Sequence, residues 1–319
     1  MIAVNNILRS IHRLQNSNSP KLNILTLCKN TEKYIALLCK TKHNFYIPQS
    51  HQWNNQAQQQ PANLNIVESC LVPYLDYLIC YDRAEQYEEA QMLALQYHIP
   101  IILVDRCTPS LLKPHHLLEN ITIVDHRKLE RSPALQICNA QYISDSWSQQ
   151  NVSMTIPIGI DTDIFQPQQN ANEVLISIDN NTAPVVGSTL TYQLKEQYPI
   201  LPIEHDNLEN VHVNKTRYYL NTNKIVTISL LEAMAAANVT ISLKTDDTAQ
   251  FIIDKETGIL VNSINEFAGA ITFLEEHSEL RKKISEQSRQ KIIQEHLVSN
   301  FVSKWLLAFN MIKSSFYTP

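Results

Sequence analysis

Glycine is scarce in this chain of 319 residues. The sequence contains four glycines, Gly159, Gly187, Gly258 and Gly269, whereas average usage of about 7% would give several times more. Glycine is the usual residue where a backbone must approach a phosphate group closely. The chain therefore has few places at which its backbone could make such an approach.

A disulfide framework and a zinc-binding cysteine motif are also missing. The six cysteines all lie in the first half of the chain, and none forms a C-x-x-C pair. They are Cys28, Cys39, Cys70, Cys80, Cys107 and Cys138. This pattern predicts reduced, buried thiols in a cytoplasmic protein, with no metal site.

We expect neither a signal peptide nor a membrane span, because the sequence contains no apolar run near the length of a span. A net charge of −5 and a pI near 6.1 argue against a nucleic-acid-binding surface. Hydrophobic residues make up 44% and charged residues 18% of the chain, which is typical of a soluble globular protein of two ordinary domains.

The most informative stretch lies between Leu220 and Val261. Ala, Leu and Met predict a short helix from Ser229 to Ala237, with Thr227 or Ser229 as its N-cap. Asn238 follows, and we expect it to adopt the left-handed conformation that often ends a helix.

Apolar runs continue the pattern beyond this helix. We predict strands at Val239–Leu243, Phe251–Ile253 and Ile259–Val261, the last preceded by a turn at Lys255–Gly258. Earlier in the chain, strands are expected at Leu22–Leu27, Leu75–Tyr81, Pro100–Val104 and Tyr142–Ser144, and a helix is expected at Asp82–Gln96. Strands that alternate with helices in this way predict an α/β fold with parallel sheets.

The segments LLEAMAAANV (230–239) and ETGILV (256–261) resemble the donor-sugar motif of glycosyltransferase family 4, a retaining group with the GT-B fold. The preceding Leu220-Asn221-Thr222-Asn223 is similar to the L-N-T-S of a phage- and bacteria-associated branch. The resemblance implies two Rossmann-like domains that face a cleft, with a C-terminal helix that crosses back to the first domain.

A second motif supports the resemblance. Met154–Pro167 is similar to the family's I-P-N-G-I-D-x-x-x-F-x-P, although Ile158 replaces its Asn, and the segment 278–296 matches the family's terminal helix. We therefore divide the chain into an N-terminal helix and linker (1–20), an acceptor domain (21–157), a donor domain (158–300), and a crossover helix with its tail (301–319).

The resemblance assigns the donor site to the loop and helix around Glu232, which would bind the nucleotide ribose. The helix N-terminus would bind the diphosphate. The remaining donor-site candidates are Lys224, Thr227, Ile228, Ser229 and Leu231. From the residues alone, Glu232 could instead be a first-turn acid that stabilises its own helix.

The family pattern is incomplete here. Lys224 occupies the place of the first Glu of the family's E-x7-E pair, and Ile225-Val226-Thr227 replaces its Gly-Phe-Gly turn. The Arg and Lys that hold the diphosphate in the family are absent after the strand predicted at 173–178. Lys224 could face phosphate or be a solvated loop lysine.

Acceptor-binding candidates come from the first half of the chain. His43 lies in a segment similar to the family's T-G-H-x-F-Y, and the others follow predicted strands, whose carboxyl ends gather functional groups in open α/β sheets. These others are Asp82, Arg83, Asp105 and Arg106. Three of the five have an alternative role: a structural histidine for His43, a helix cap for Asp82 and a surface ion pair for Arg106. No catalytic residue is assigned.

Residues 2–15 carry apolar side chains at helical spacing and predict an N-terminal helix. It would pack on the first domain or make a weak membrane-surface contact.

Three functions follow from the sequence. The first is a retaining, metal-independent glycosyltransferase without a cofactor, which moves a hexose from a nucleotide sugar to a glycan or surface polysaccharide. The second is an inactive GT-B protein that serves as a binding or scaffold protein. The third is another GT-B activity, such as an epimerase or a phosphorylase. The sequence identifies neither the sugar, the base, the acceptor nor the oligomeric state.

Overall fold

The structure is a computed structural model of the chain. It describes residues 21–27, 31–51, 53, 59–67, 74–81, 84–108, 133–147, 152–167, 176–179, 184–196, 198–203 and 213–316. The predicted N-terminal helix lies outside these residues, as do Asp82 and Arg83. The chain divides into two compact units: unit 1 combines 1–55, 60–157 and 301–319, and unit 2 combines 56–59 and 158–300.

The strands and helices are numbered in chain order. The strands are β1 (Asn23–Thr26), β2 (Asn44–Pro48), β3 (Leu64–Val67), β4 (Tyr77–Tyr81), β5 (Ile101–Asp105), β6 (Leu135–Cys138), β7 (Ser153–Thr155), β8 (Ile176–Asp179), β9 (Ile200–Ile203), β10 (Tyr218–Asn221), β11 (Val239–Leu243) and β12 (Ile259–Val261). The helices are α1 (Glu32–Cys39), α2 (Ala84–Tyr97), α3 (Gln141–Ser146), α4 (Pro184–Leu194), α5 (Ile228–Ala235), α6 (Asp246–Phe251), α7 (Glu266–Glu276), α8 (Ser278–Glu295) and α9 (Val298–Phe316).

Unit 1 is built on a seven-stranded sheet in the order β3-β2-β1-β4-β5-β6-β7. Every neighbouring pair is parallel. The central strand β4 is buried on both faces, as its sequence YLICY predicts for the middle of a parallel sheet. Leu78 and Cys80 belong to a core cluster that includes Tyr87 and Ala90 of α2.

The last helix, α9, packs on unit 1. The rings of Tyr77 and Phe309 stack with centroids 5.9 Å apart, and the Tyr77 hydroxyl donates to the Phe309 carbonyl oxygen at 3.2 Å. Nearer the start of α9, the ring of Phe301 meets that of Tyr34 edge-on at 5.6 Å. Because Tyr77 begins β4 and Phe309 follows Phe301 by two helical turns, α9 runs back along the sheet. The prediction of a C-terminal helix that returns to the first domain is confirmed.

Unit 2 is built on a five-stranded parallel sheet in the order β12-β11-β10-β8-β9. Its core joins Ile178, Leu220 and Ile241 of the sheet to Phe267 of α7 and Ile284 of α8. The prediction of two Rossmann-like α/β units is therefore confirmed.

Two predicted strands are wrong. Tyr142–Ser144 lies within α3, and the strand of this region is β6, which ends at Cys138, four residues before Tyr142. Phe251 is the last residue of helix α6, and Ile252 and Ile253 follow it, so a helix occupies part of the predicted strand. The reason is a capping box: Thr245 accepts from the Thr248 amide at 3.1 Å, and Thr248 accepts from the Thr245 amide at 2.9 Å.

Within the part of the chain that the structure describes, no helix combines the length and the apolar character needed to cross a membrane.

Candidate functional site

The loop between β10 and α5 starts at a switch point of the unit 2 sheet. β10 pairs with β8 on one side and β11 on the other. The strand that follows β8 in the chain is β9, which lies beyond β8, whereas the strand that follows β10 is β11. The connections after β8 and after β10 therefore lead to opposite sides of the sheet. Asn221, the last residue of β10, lies opposite Asp179, the last residue of β8. In open α/β sheets, ligands bind outside the carboxyl ends of the strands at such a point.

Asn221 organises the start of this loop. Its side-chain oxygen accepts from the Asn223 amide at 3.2 Å, and its side-chain nitrogen donates to the Ser242 hydroxyl at 2.9 Å. The first bond closes a tight turn, since an Asn side chain can mimic a backbone turn. The second ties β10 to its neighbour β11. Asn221 is therefore a fully buried structural residue of the L-N-T-N segment.

The first turn of α6 supports the rest of the loop. The Asp247 carboxylate accepts from the Val226 amide at 2.8 Å, and the Thr245 hydroxyl donates to the Lys224 carbonyl oxygen at 2.8 Å. Asp247 is itself fully buried. A charge-assisted bond to a loop amide is stronger than a neutral one, so these contacts fix the backbone that leads into α5.

α5 begins with a side-chain cap. Thr227 is its N-cap and accepts from the Leu230 amide at 3.1 Å. Cap residues satisfy one of the free amides of the first turn, and the other amides give this end of the helix a partial positive charge.

Glu232 is the fifth residue of α5 and is 6% exposed. The first turn of α5 contains no acidic residue, so the alternative in which Glu232 stabilises the helix as a first-turn acid does not fit its position. A buried carboxylate needs polar partners. Glu232 is therefore a buried carboxylate one turn along a capped helix.

α5 ends at Ala235, two residues earlier than the sequence suggested. The left-handed residue is Ala237, with φ 61°, so the prediction of Asn238 at that position is wrong. The Asn238 amide donates to the Ala233 carbonyl oxygen and the Ala237 amide to that of Met234, each at 3.0 Å; this is a Schellman motif. The buried Asn238 side chain instead donates to the Thr216 hydroxyl at 2.8 Å.

Side chains of helix α8 donate hydrogen bonds to two backbone carbonyl groups at the end of α5 that the Schellman motif does not use. The Ser285 hydroxyl donates to the Ala237 carbonyl oxygen at 2.5 Å. The Arg289 guanidinium donates to the carbonyl oxygens of Ala235 and of Phe165, the latter at 2.9 Å. Arg289 thus joins the helix of the L-E-A-M-A segment to the second motif, Met154–Pro167.

The predicted donor-site residues all lie on this loop and helix. Lys224 has an exposed side chain in the loop, Thr227 and Ile228 are half-buried at the start of α5, and Ser229 is buried. Leu231 is fully buried and belongs to the core rather than to an accessible surface.

Of the acceptor candidates that the structure describes, His43 lies at one edge of the unit 1 sheet, and Asp105 and Arg106 lie at the other. His43 precedes β2 at the amino edge of the parallel sheet, and Asp105 ends β5 at the carboxyl edge. His43 accepts at Nδ1 from the Leu22 amide at 3.3 Å, and its ring meets that of Phe309 edge-on at 5.4 Å. These contacts match the structural role that the sequence left open for His43.

Asp105 and Arg106 lie side by side at the carboxyl edge. Asp105 is fully buried and accepts from the Gln136 side-chain nitrogen at 2.5 Å. The Arg106 guanidinium lies 5.5 Å from the centre of the Tyr81 ring, a cation–π distance. Of these candidates, Arg106 is the one with partial exposure at this edge.

Sequence reasoning missed four residues that shape the candidate site: Asn221, Asp247, Ser285 and Arg289. Asn221 had a signal, because an Asn directly after a predicted strand favours a turn. The other three act from elements at least 21 residues away from the atoms they bind, and single-sequence periodicity carries no information on such contacts.

No cluster of three or more His, Cys, Asp or Glu side chains arranged to hold a metal ion occurs among the residues that the structure describes. The cysteines within those residues, Cys39, Cys80, Cys107 and Cys138, are buried free thiols.

Comparison with protein families gives one match. Residues 187–306 match the sequence profile of the family described as "Glycosyl transferase-like". The match covers β10, α5 and α8, and therefore every donor-site residue discussed above. No curated protein sequence matches the chain.

Solved structures show the same fold. HepE of Anabaena in complex with UDP-glucose has a TM-score of 0.67 and 11% identity, over 93% of this chain and all of that one. Sucrose-phosphate synthase of Thermosynechococcus elongatus has a TM-score of 0.70 and 11% identity, over 92% of this chain and all of that one. A glycosyltransferase of Rickettsia africae has a TM-score of 0.60 and 13% identity, over 92% and 98% of the two chains. At such low identity the likeness is one of fold, and it confirms the predicted GT-B glycosyltransferase fold.

Proposed function

We propose that this chain is a nucleotide-sugar-dependent glycosyltransferase of the family 4 type, close to its phage- and bacteria-associated branch. It transfers a hexose, with retention of configuration, to a glycan or surface polysaccharide acceptor. The observation that carries the proposal is the place of Glu232. This carboxylate is buried one turn into a capped helix that leaves a sheet at its switch point, within the segment that matches the glycosyltransferase profile.

Each part of the donor has a counterpart in the loop and helix. The amides at the start of α5 suit a diphosphate, because they point outward and carry the positive end of the helix dipole. Glu232 suits the two ribose hydroxyls, which a carboxylate can bind as a paired acceptor. Lys224, exposed on the loop, supplies a cation that can reach the leaving diphosphate.

This assignment needs no metal ion and no cofactor. The charge that develops on the departing diphosphate would be stabilised by fixed amides and by a lysine, which are the donors that electrostatic catalysis employs. UDP and UDP-glucose are the first nucleotides to test, since the HepE structures contain these molecules. The buried free thiols support a reducing compartment, and we place the protein in the cytoplasm.

A second candidate function is an inactive GT-B protein that binds or assembles other molecules. It is favoured by the substitution of Lys224 for the first Glu of the family pair and by the low glycine content. In this case the protein would have the GT-B fold but would not bind a nucleotide sugar.

Calorimetry with UDP, GDP and their glucose and mannose conjugates distinguishes the two candidates. The wild-type protein should bind one of these nucleotides, and Glu232→Gln should weaken that binding by about tenfold or more, since a bond to a charged group is lost. The matched control is Glu279→Gln, which alters a carboxylate with 87% side-chain exposure on α8. Absence of binding to every nucleotide would reject the glycosyltransferase.

Lys224→Ala tests the phosphate contact separately. If Lys224 faces the diphosphate, the variant should bind the nucleoside diphosphate more weakly and the nucleoside monophosphate almost unchanged. Equal affinities for the diphosphate in variant and wild type would leave Lys224 as a solvated loop lysine.

A further inference from the structure

Arg289 connects two segments of unit 2 that are far apart in sequence. Its guanidinium donates to the carbonyl oxygen of Ala235, the last residue of α5, and to that of Phe165 at 2.9 Å. Phe165 is 6% exposed, and its own amide is held by the Asp161 carbonyl oxygen at 3.1 Å. The second acceptor is therefore part of an ordered turn, so that Arg289 ties the end of α5 to a fixed point.

An arginine suits this position for two reasons. Its planar fork can donate to two acceptors in different directions, which a lysine ammonium does less well. Its charge also lies at the carboxyl end of α5, where the helix dipole is negative. Arg289 is half-buried, and this burial lowers the pKa of its guanidinium from the usual value.

The two ends of α5 are thus held by different elements. Thr227 and the loop bound by Asp247 fix the amino end, whereas α8 fixes the carboxyl end. Glu232 lies between them, three residues before Ala235. Release of the carboxyl end would let α5 tilt or rotate about its cap, and Glu232 would move with it.

We propose that Arg289 is a positioning residue of the donor site: it does not touch the nucleotide, but it sets the axial position and rotation of α5 and thereby aims Glu232 at the ribose. This inference rests on the proposed function, because the ribose is the ligand that Glu232 would bind. Ser285 contributes on the same helix, since it binds the Ala237 carbonyl oxygen.

The test compares Arg289→Met and Arg289→Lys with Arg281→Met. Arg281 lies on the same helix, is also half-buried, and pairs with Glu275 of α7 at 3.0 Å, so its loss removes a charge of the same kind without releasing α5. Affinity for UDP is measured by calorimetry on variants whose circular dichroism matches that of the wild type. Arg289→Met should weaken UDP binding about tenfold, as expected when a ligand-contacting group is misplaced.

The control variant should bind UDP as the wild type does. Arg289→Lys should recover part of the lost affinity, because an ammonium group can still donate to the Ala235 carbonyl oxygen. A purely structural role would not give a loss of UDP affinity that a lysine restores. Equal UDP affinity in Arg289→Met and Arg281→Met would overturn the proposal.

Hydrogen exchange of the α5 amides, measured without ligand, separates this proposal from the proposed function. If the wild type binds no nucleotide, the glycosyltransferase assignment fails on its own. Faster exchange confined to residues 228–238 in Arg289→Met would then still support the positioning of α5. Exchange equal to that of Arg281→Met would overturn it.

Discussion

Ser285 donates its hydroxyl hydrogen to the carbonyl oxygen of Ala237, the residue through which the chain leaves α5 in a left-handed conformation. Residues with a Cβ pay about 1–2 kcal/mol for this conformation, and glycine is the usual residue at the position. The chain keeps alanine there and compensates with bonds from α8. This contact leads to the first prediction.

Ala237→Gly should raise the free energy of unfolding of unit 2 by roughly 0.5–1 kcal/mol, because it removes the left-handed penalty. The matched control is Ala236→Gly, whose φ is −74°. That change should lower the free energy by about 0.5–1 kcal/mol, because glycine gains nothing there and is more flexible in the unfolded chain. Urea unfolding followed by circular dichroism measures both, and a destabilising Ala237→Gly would contradict the prediction.

Gly258→Ala should destabilise unit 2 by about 1–3 kcal/mol, the usual cost of overpacking. A Cβ at Gly258 would lie 2.8 Å from the Thr240 hydroxyl oxygen and 3.0 Å from its carbonyl oxygen. Since the carbonyl group is part of β11, the neighbours cannot move away freely. The change is measured as a shift of the urea midpoint.

Gly269 provides the contrast for Gly258. It lies within α7, and nothing lies within 4 Å of an added Cβ. Gly269→Ala should therefore stabilise the protein by roughly 0.5–1 kcal/mol, because alanine is the better helix former. Similar losses from both substitutions would show that crowding at Thr240 is not the cause.

His43 should make unit 1 less stable in mild acid. Burial and the nearby Lys21 lower the pKa of His43 to about 4, whereas it is about 6.5 in an unfolded chain. The unfolded state thus takes up a proton first as the pH falls. The stability contributed by neutral His43 is complete above about pH 6.5 and is lost between that pH and about 4.

His43→Asn tests this expectation, because its side-chain oxygen can still accept from the Leu22 amide but cannot be protonated. The loss of stability between pH 6.5 and 4 should be smaller in the variant, as measured by urea midpoints at both pH values. His296 is the reference within unit 2: burial lowers its pKa as well, so its contribution remains in both proteins. An unchanged pH dependence in His43→Asn would exclude His43 as the source.

Trp305→Ala should destabilise unit 1 by about 3–5 kcal/mol, the usual cost of deleting a large buried side chain. Trp305 is fully buried in α9 and lies 5.3 Å from the ring of Phe309. Leu307→Ala is the control, because this neighbouring side chain is 52% exposed and its loss should change stability by no more than about 0.5 kcal/mol. Equal effects would mean that α9 does not dock through its aromatic face.

The fold followed from the sequence where patterns were local and strong. β11 and β12 begin and end at the predicted residues, because apolar runs report directly on buried strands. β6 was missed because its buried residues include Gln136, which interrupts the apolar run. The nearby Tyr-Ile pair of α3 has the composition of a strand and was predicted as one.

The sequence could propose the position of the candidate site, which stays a prediction, but it could not indicate the contacts that support it. Glu232 and Thr227 could be found because they belong to a short contiguous motif. Asp247 and Arg289 bind the same loop and helix from α6 and α8, and their partners are backbone atoms, which any residue type would offer. The sequence of the partner therefore gives no sign of the contact.

The return of α9 to unit 1 has a consequence for biosynthesis. A ribosome makes residues 158–300 before it reaches Phe301, so the chain of unit 2 is complete while β4 still lacks the helix that packs against Tyr77. Domains usually fold in the order in which they are synthesised, but unit 1 lacks part of its chain until unit 2 has been made. Until residues 301–316 have been synthesised, the nascent chain exposes the aromatic side chains of unit 1 that α9 covers.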